Sequence, residues 1–312
     1  MRNDQILNYK DFISTVYIFR NLPRLSIILA LILAPIAHAQ SNKSSGKSIF
    51  AANRSAANAF RVIRPSTPAP NIVGKAAIVI DARTGKPLYA KRADEKRPVA
   101  STQKLMTALL SLEKGHMNES VTVSKSDTWI EPSKIYIQSG QTYRKSDLIA
   151  ALLVRSGNDV ARCLARNHSG SQAAFALAMT TKARRLGMSN SNFKNPHGLT
   201  VKGQYSTARD MGILARAAYY HRTIRSITRI KRLPFRFANG KKTTFNNTNK
   251  LLHRSKYCNG LKTGYTNASG RCLISSGKNG QKEVIVVILG STSSSIWNDS
   301  EKLLHWGLGI KS

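Results

Sequence analysis

A serine and a lysine three residues apart, Ser101 and Lys104, have the types and the spacing for nucleophilic catalysis. A serine hydroxyl is a weak nucleophile at neutral pH and needs an adjacent base. Residues three apart lie on one face of a helix, so the amine of Lys104 can reach the hydroxyl of Ser101. A lysine in water has a pKa of about 10.4, but burial in an apolar helix beside a second cation lowers that pKa and leaves a neutral amine. The pair can therefore supply a nucleophile and its general base.

Spacing alone does not single out this pair, because it recurs at Ser44/Lys47, Ser111/Lys114, Ser191/Lys194 and Ser275/Lys278. Only the copy at Ser101 opens a long apolar segment, whose side chains leave no wide polar face: Leu105, Met106, Ala108, Leu109, Leu110 and Leu112. This pattern predicts a buried helix with Ser101 at its N-cap or in its first turn. The structural alternative is a plain N-cap serine followed by a lysine that extends to water.

The rest of the sequence predicts the elements that must position this helix. Residues 74–100 predict two strands around a turn, and helical stretches follow up to residue 221, the last of them with Ser206 as its N-cap. Late strands and a closing helix are predicted at 229–237, 259–266, 270–278, 282–290 and 295–309. This is an α+β order, in which an antiparallel sheet draws on both ends of the chain.

Two further motifs follow in order: SGN at residues 156–158 and KTG at residues 262–264. Serine β-lactamases and penicillin-binding proteins carry these three motifs, with a variable middle residue in the second. Taken alone, SGN is also typical of a turn between helices and KTG of a hairpin entry, like the RTG at residues 83–85. The three motifs occur in this order and with matching flanks. The least favoured interpretation is therefore that all three are merely structural.

The flanks carry a more specific resemblance. The segments LLVRSGNDVA, NPHGL with QYSTARDM, and GLKTGYTNASGRCLISS resemble the D-alanyl-D-alanine carboxypeptidases among the low-molecular-mass penicillin-binding proteins. The resemblance covers roughly residues 72–312. It implies a β-lactamase/transpeptidase-like α+β fold, with an antiparallel sheet flanked by helices and an all-helical subdomain at roughly residues 124–222. The active site would lie at their junction.

The resemblance also implies the catalytic roles. Ser101 would form the acyl-enzyme with Lys104 as its base, and Ser156 would pass a proton between Lys104 and the leaving amine. The backbone N–H groups of Ser101 and Tyr265 would form the oxyanion hole. A helix start at Ser101 favours the same negative charge through the positive end of the helix dipole.

The remaining motif residues would bind substrate. Asn158 would hold Lys104 and a peptide carbonyl of the substrate, and Lys262 with Thr263 would bind the terminal carboxylate. Gly264, which has no side chain, would let the substrate backbone lie against the strand edge. In the family an acidic residue often stands three positions before the lysine of the third motif, and here Asn259 takes its place. We therefore expect a different charge balance around Lys262.

Several other polar residues are expected to be structural. His197 is predicted to be a structural loop residue, and Asp210 to support its helix or a nearby ion pair. Of the three cysteines, Cys163, Cys258 and Cys272, one pair could form a disulfide, but no spacing signature supports a pairing, and free, partly buried thiols are favoured. Neither the cysteines nor the histidines form a metal-ligand pattern, so no metal and no cofactor is expected.

The charge and the N-terminus indicate where the protein acts. A formal net charge of +34 suits a nucleic acid, an anionic membrane surface or an acidic polymer. Arg20 and Arg24 precede an apolar run that ends at Ala39, which predicts a signal peptide over residues 1–39, or alternatively an uncleaved anchor. Because an exported protein does not meet nucleic acid, no nucleic-acid partner is expected. Contact with the membrane is expected only through electrostatic attraction or through an uncleaved signal peptide. Residues 40–70 predict a flexible basic linker, and 71–312 the catalytic domain.

The sequence thus favours an exported serine D,D-peptidase acting on peptidoglycan stem peptides. Carboxypeptidase and endopeptidase activity stay open, as does the oligomeric state, and β-lactam antibiotics would be covalent inhibitors. The alternatives are a class A-like β-lactamase and a non-catalytic basic cell-wall-binding protein. Against the β-lactamase, the only acidic residue from 160 to 261 is Asp210, so this segment lacks the glutamate that activates the deacylating water. Only 48 residues follow Gly264, and we expect no trailing domain.

Overall fold

The computed structural model describes residues 65–310. The predicted signal peptide and most of the predicted linker lie outside the described residues. In chain order, the strands of the described part are β1 (Ala76–Asp81), β2 (Pro87–Lys91), β3 (Ser120–Thr122), β4 (Thr142–Arg144), β5 (Arg232–Arg236), β6 (Lys242–Asn246), β7 (Cys258–Thr266), β8 (Gly270–Asn279) and β9 (Lys282–Ser291). Its helices are α1 (Lys104–Glu113), α2 (Lys145–Val154), α3 (Asn158–Ser169), α4 (Gln172–Arg185), α5 (Ala208–Tyr220), α6 (Arg222–Thr228), α7 (Leu251–Arg254) and α8 (Ile296–Leu308).

A five-stranded antiparallel sheet forms the centre of the molecule, in the order β2-β1-β9-β8-β7. Its first two strands come from the N-terminal side of the helices and its last three from the C-terminal side, so the predicted α+β order is confirmed. The pairs β3–β4 and β5–β6 form two small separate ribbons. The strand β7, which carries the KTG motif, lies at an edge of the central sheet.

Both faces of the central sheet are covered. On β1, Ala77 and Val79 belong to the core that contains Leu303 of α8, while Ile78 and Ile80 face the larger core shared with α1 to α5. Successive side chains of a strand point to opposite faces. Two-sided burial therefore explains why five consecutive apolar residues begin this strand and why all of them are buried.

The helix α1 is buried on nearly all sides, as its apolar sequence predicted. It contacts α2, α3 and α5, and each fully buried leucine contributes about 2 kcal/mol to folding. Ser101 lies in a 3-10 turn, Ala100–Gln103, directly before α1. It is a first-turn residue, and the N-cap alternative is wrong, because the N-cap position of α1 is Gln103, which makes no side-chain capping hydrogen bond.

The prediction that Ser206 caps α5 is wrong. The N-cap of α5 is Thr207, whose hydroxyl accepts a hydrogen bond from the backbone N–H of Asp210. Ser206, one residue earlier, pairs through its backbone with Arg97, and its hydroxyl hydrogen-bonds to Ser191. Both residues can cap a helix, and this backbone pairing holds Ser206 outside it.

The three cysteines are free thiols, as predicted. Cys258 lies opposite Gly277 and Cys272 opposite Gly264 across β7 and β8, so these two thiols do not face each other. The cysteines are more fully buried than predicted. Burial raises the pKa of Cys163 to about 12 and that of each of the other two to about 11, so all three are unreactive at neutral pH.

Candidate active site

The hydroxyl of Ser101 and the amine of Lys104 are in hydrogen-bonding contact, with 2.7 Å between Oγ and Nζ. The serine lies in the 3-10 turn, and the lysine is the first residue of α1. Lys104 also contacts Oδ1 of Asn158 at 2.6 Å and the carbonyl oxygen of His197 at 2.8 Å. Its amine therefore has three oxygen neighbours, each on a different segment of the chain.

These neighbours define which way each hydrogen bond runs when the lysine is neutral. A carbonyl oxygen only accepts, so the two N–H bonds of a neutral amine are donated to Asn158 and His197. The orientation of the Asn158 amide is set by its other end, because its Nδ2 donates to the carbonyl of Pro132 at 2.6 Å. The lone pair of Nζ is then left for the Ser101 O–H, which is the arrangement that a general base requires.

Burial lowers the pKa of Lys104 well below its ordinary value, and the side chain is fully buried. The positive charge of Lys262 lowers this pKa further, while the carboxylate of Asp159 raises it. The two lowering effects, desolvation and a second cation, are those predicted from the sequence. Together they favour the neutral amine.

The SGN motif lies where the loop after α2 enters α3, with Asn158 as the first residue of that helix. Ser156 lines the same cleft as Ser101, and its hydroxyl forms no hydrogen bond with Ser101 or Lys104 in the described part of the chain. The φ angle of Ser156 is 71°, in the left-handed region that costs a non-glycine residue energy. Strain of this kind persists where the surrounding structure sustains it, commonly at functional sites.

The KTG motif places a buried cation and a hydroxyl on the edge strand. Lys262 is fully buried, and its Nζ donates to the carbonyl of Thr263 at 3.2 Å. Burial lowers the pKa of Lys262 to about 7, so the amine is partly protonated at neutral pH. The hydroxyl of Thr263 donates to that of Thr248 at 2.8 Å. Tyr265 is half exposed, with its ring under the guanidinium of Arg271.

Two glycines let the Ser101 turn approach its neighbours closely. A Cβ on Gly264 would lie 2.9 Å from the backbone nitrogen of Ser101. A Cβ on Gly198 would lie 2.1 Å from the carbonyl oxygen of Ala100, and the φ angle of Gly198 is 94°. Gly198 was not singled out from the sequence, although it directly follows His197, whose carbonyl contacts Lys104.

A buried carboxylate that the sequence did not single out supports the site from behind. Asp159, the residue after Asn158, is fully buried and accepts hydrogen bonds from the backbone N–H groups of Ile135, Tyr136 and Ile137 at 2.8–3.2 Å. Burial raises its pKa, and these hydrogen bonds oppose the rise. Asp159 thereby holds the loop whose Pro132 carbonyl orients Asn158.

The residues expected to be structural have structural contacts. His197 is buried, and burial with the nearby charge of Lys104 lowers its pKa to about 3, so the ring is neutral. Asp210 accepts hydrogen bonds from Ser191 and from the backbone of Asn190, away from the cleft lining. Asn259 accepts from Ser276 at 2.6 Å, and no carboxylate is in contact with Lys262 among the described residues.

An open cleft of about 550 Å³ runs across these groups. One wall is the edge strand β7, and the other is the loop between α2 and α3, where the sheet meets the helices. Its lining includes Ser101, Ser156, Asn158, Thr263, Gly264 and Tyr265. Lys104 and Lys262 lie beneath this surface. No described cluster of His, Cys, Asp or Glu could hold a metal ion, and no described helix is long and apolar enough to cross a membrane.

The fold and the three motifs together define a class of protein, and comparison with known proteins identifies it. The D-alanyl-D-alanine carboxypeptidase family model matches residues 63–293. The chain therefore belongs to this family, and the resemblance noted in the sequence is confirmed.

Relatives in the family carry more than one activity in their names. The chain is 35% identical to the D-alanyl-D-alanine carboxypeptidase DacF of Bacillus subtilis (strain 168), over 70% of this chain and 58% of the relative. It is 33% identical to the D-alanyl-D-alanine endopeptidase of Escherichia coli (strain K12), over 76% of this chain and 78% of the relative. The chain thus spans less than two thirds of the length of the Bacillus relative.

A solved structure confirms the predicted fold. The crystal structure of the D-alanyl-D-alanine carboxypeptidase of Mycobacterium tuberculosis H37Rv superposes with a TM-score of 0.75 at 28% identity, over 80% of this chain and 97% of that one. The β-lactamase/transpeptidase-like α+β architecture is therefore shared.

Proposed function

We propose that this protein is a serine D,D-peptidase that acts on peptidoglycan stem peptides through an acyl-enzyme on Ser101. The observation that carries the proposal is the 2.7 Å contact between the Ser101 hydroxyl and a fully buried Lys104 whose pKa is lowered. Family membership and the cleft across the three motifs support the same reaction class.

In the first step, Lys104 takes the proton of the Ser101 hydroxyl as Oγ attacks the carbonyl carbon of the penultimate D-alanine. Negative charge develops on the carbonyl oxygen, where the backbone N–H groups of Ser101 and Tyr265 would stabilise it. Ser156 passes the proton from Lys104 to the nitrogen of the leaving group. The C–N bond then breaks, and the leaving D-alanine departs with a neutral amine.

In the second step, water hydrolyses the ester. Lys104, neutral again, accepts a proton from the water, and the hydroxide attacks the ester carbonyl. The C–O bond breaks, and the proton returns to Oγ of Ser101. The products are the shortened stem peptide with a new carboxylate and the free serine.

Substrate binding would use the edge strand and the amide of Asn158. Lys262 and Thr263 bind the terminal carboxylate of the leaving D-alanine, whose negative charge raises the pKa of Lys262 and keeps it protonated. The side-chain amide of Asn158 lies beside Lys104 and can reach a peptide carbonyl of the substrate. At Gly264 the absence of a side chain leaves room for an extended peptide along β7.

The same groups suit two outcomes. Removal of a terminal D-alanine is carboxypeptidase activity, and cleavage of a D-alanine crosslink is endopeptidase activity. Both names occur among the relatives, so the proposal covers both. For a peptidoglycan enzyme the predicted signal peptide over residues 1–39, cleaved after Ala39, supports an exported, periplasmic location. N-terminal sequencing of the exported protein should begin at Gln40, and retention of residues 25–36 would favour an anchor instead.

The proposal is tested by mass spectrometry of purified muropeptides incubated with the protein. Loss of a terminal alanine identifies a carboxypeptidase, and conversion of crosslinked dimers to monomers identifies an endopeptidase. The Ser101→Ala variant is the control and should leave both substrates intact. Unchanged muropeptides with the wild-type protein would contradict the proposal and favour the non-catalytic wall-binding alternative.

A further inference from the structure

One long segment of the chain is basic without any acidic residue. Residues 211–282 contain 16 Lys and Arg and no Asp or Glu. This segment forms most of α5, the helices α6 and α7, the β5–β6 ribbon and the strands β7 and β8. An uninterrupted cationic segment of this kind produces a strong local field for anions.

Eight cations of this segment lie exposed on α6 and on the β5–β6 ribbon, and we call them the basic surface: Arg222, Arg225, Arg229, Lys231, Arg232, Arg236, Lys241 and Lys242. Within residues 65–310, none of the eight forms a salt bridge with a carboxylate; each ion pair present there involves other cations. The guanidinium of Arg225 lies over the ring of Tyr219, so Arg225 has a cation–π partner within the protein.

The register of the ribbon brings like charges together. Arg236 on β5 is directly opposite Lys242 on β6, and both are exposed on the outer face with Arg232. Like charges directly opposite each other destabilise a strand pair. On α6, Arg222 and Arg225 are three residues apart on one face, which is also repulsive. These pairs do not stabilise the strand pair or the helix, and the repulsion within them would be relieved by a bound anion.

The basic surface adjoins the catalytic cleft. Strand β6 ends at Asn246, and Thr248, two residues later, lines the cleft and hydrogen-bonds to Thr263. Lys250, also exposed, lines the same cleft. A polymer bound along the ribbon would therefore be held beside Ser101.

We propose that the basic surface is a second binding site for peptidoglycan, which contacts the free carboxylates of stem peptides next to the one being cleaved. This inference rests on the proposed function. Each uncrosslinked stem ends in a carboxylate, and each carboxypeptidase turnover replaces that carboxylate with the one of the shortened stem, so the polymer remains a polyanion. Arginine, five of the eight cations, binds carboxylates through two parallel hydrogen bonds. Among the described residues, the exposed large apolar side chains nearest to this surface in sequence are Tyr220 and Tyr265, and an arginine guanidinium lies over each ring. This favours a polyanion over an inserted membrane contact.

The test compares two variants of equal net charge. The surface variant is Arg232→Glu/Arg236→Glu/Lys242→Glu, and the control is Lys75→Glu/Lys86→Glu/Lys302→Glu, three exposed cations outside the basic segment. Each is assayed on intact insoluble peptidoglycan and on a short soluble peptide ending in D-Ala-D-Ala. The surface variant should be about tenfold slower than the control on the polymer and equal to it on the short peptide. Raised salt should slow the wild type on the polymer and remove the difference.

Binding is measured separately from turnover. In a Ser101→Ala background, cosedimentation with insoluble peptidoglycan should be weakened by the surface substitutions and not by the control. This measurement remains valid if the wild type cleaves no peptide, so a failure of the proposed function is distinguishable. Equal losses in both variants would overturn the proposal, because net charge alone would then explain them. If the surface substitutions weakened binding to vesicles containing anionic phospholipid and left binding to peptidoglycan unchanged, the proposal would be overturned in favour of a membrane site.

Discussion

Lys104 and Lys262 are both fully buried, and the positive charge of Lys262 lowers the pKa of Lys104. The two amines need opposite protonation states in the proposed reaction, because Lys104 acts as a base and Lys262 binds a carboxylate. Burial lowers the pKa of each, and the pKa of Lys262 is about 7. Their coupling gives the reaction a defined pH dependence.

We predict that kcat/KM for a D-Ala-D-Ala peptide passes through a maximum with pH. On the acid side it rises as Lys104 loses its proton, and on the alkaline side it falls as Lys262 loses its charge above about pH 7. In Lys262→Arg the alkaline decline should disappear, because arginine stays charged. A pH–rate profile of both proteins tests this, and an unchanged alkaline limb in the arginine variant would contradict it.

Removal of the Lys262 charge has a second consequence. Lys262→Ala should lower kcat/KM for a substrate with a free C-terminal carboxylate on the order of 100-fold, much more than Lys262→Arg does. Its acid limb should also move to higher pH, because a cation that lowers the pKa of Lys104 is gone. Steady-state kinetics across pH measure both effects. Equal activity of the alanine variant and the wild type would remove Lys262 from the carboxylate-binding role.

Asp159 should be a positioning residue. In Asp159→Asn the backbone donors of residues 135–137 lose a carboxylate acceptor, so the free energy of unfolding should fall by about 1–3 kcal/mol. The acid limb of kcat should move to lower pH, because the Asp159 charge raises the pKa of Lys104. A purely structural residue would lower stability without moving the pH profile. The control is Asp94→Asn, which removes an exposed ion pair with Arg209 and should have little effect on either.

The sequence predicted the parts of this site that lie in contiguous motifs and left out those that depend on tertiary contacts. The pairing of Ser101 with Lys104 follows from helical spacing, and the burial of α1 follows from its apolar residues. The carbonyl of His197 joins the site from a residue far along the chain, and backbone atoms carry no residue-type signal. Asp159 likewise acts through a loop that is remote in sequence. The one wrong helix cap, Ser206 in place of Thr207, arose at neighbouring residues that can both cap a helix.

Penicillin should acylate the protein and leave it slowly. The region between the second and third motifs contains no glutamate. Its two carboxylates lie outside the cleft lining: Asp159 is bound by the backbone N–H groups of residues 135–137, and Asp210 is bound to Ser191. The water that would hydrolyse the penicilloyl ester therefore has only Lys104 as its base, with the opened drug in its path. The half-life of the acyl-enzyme, compared with turnover of a D-Ala-D-Ala peptide, tests this. Penicillin turnover faster than peptide turnover would favour a β-lactamase.

The position of the covalent adduct tests the proposed nucleophile most directly. The protein is incubated with labelled penicillin and digested, and the adduct is located by mass spectrometry. We expect the label on Ser101, no label on Ser101→Ala, almost none on Lys104→Ala, and full labelling of Ser111→Ala and Ser275→Ala, the matched copies of the motif. Folding of each variant is verified by its melting temperature. A label on another serine, or labelling that survives in Ser101→Ala, would contradict the acyl-enzyme on Ser101.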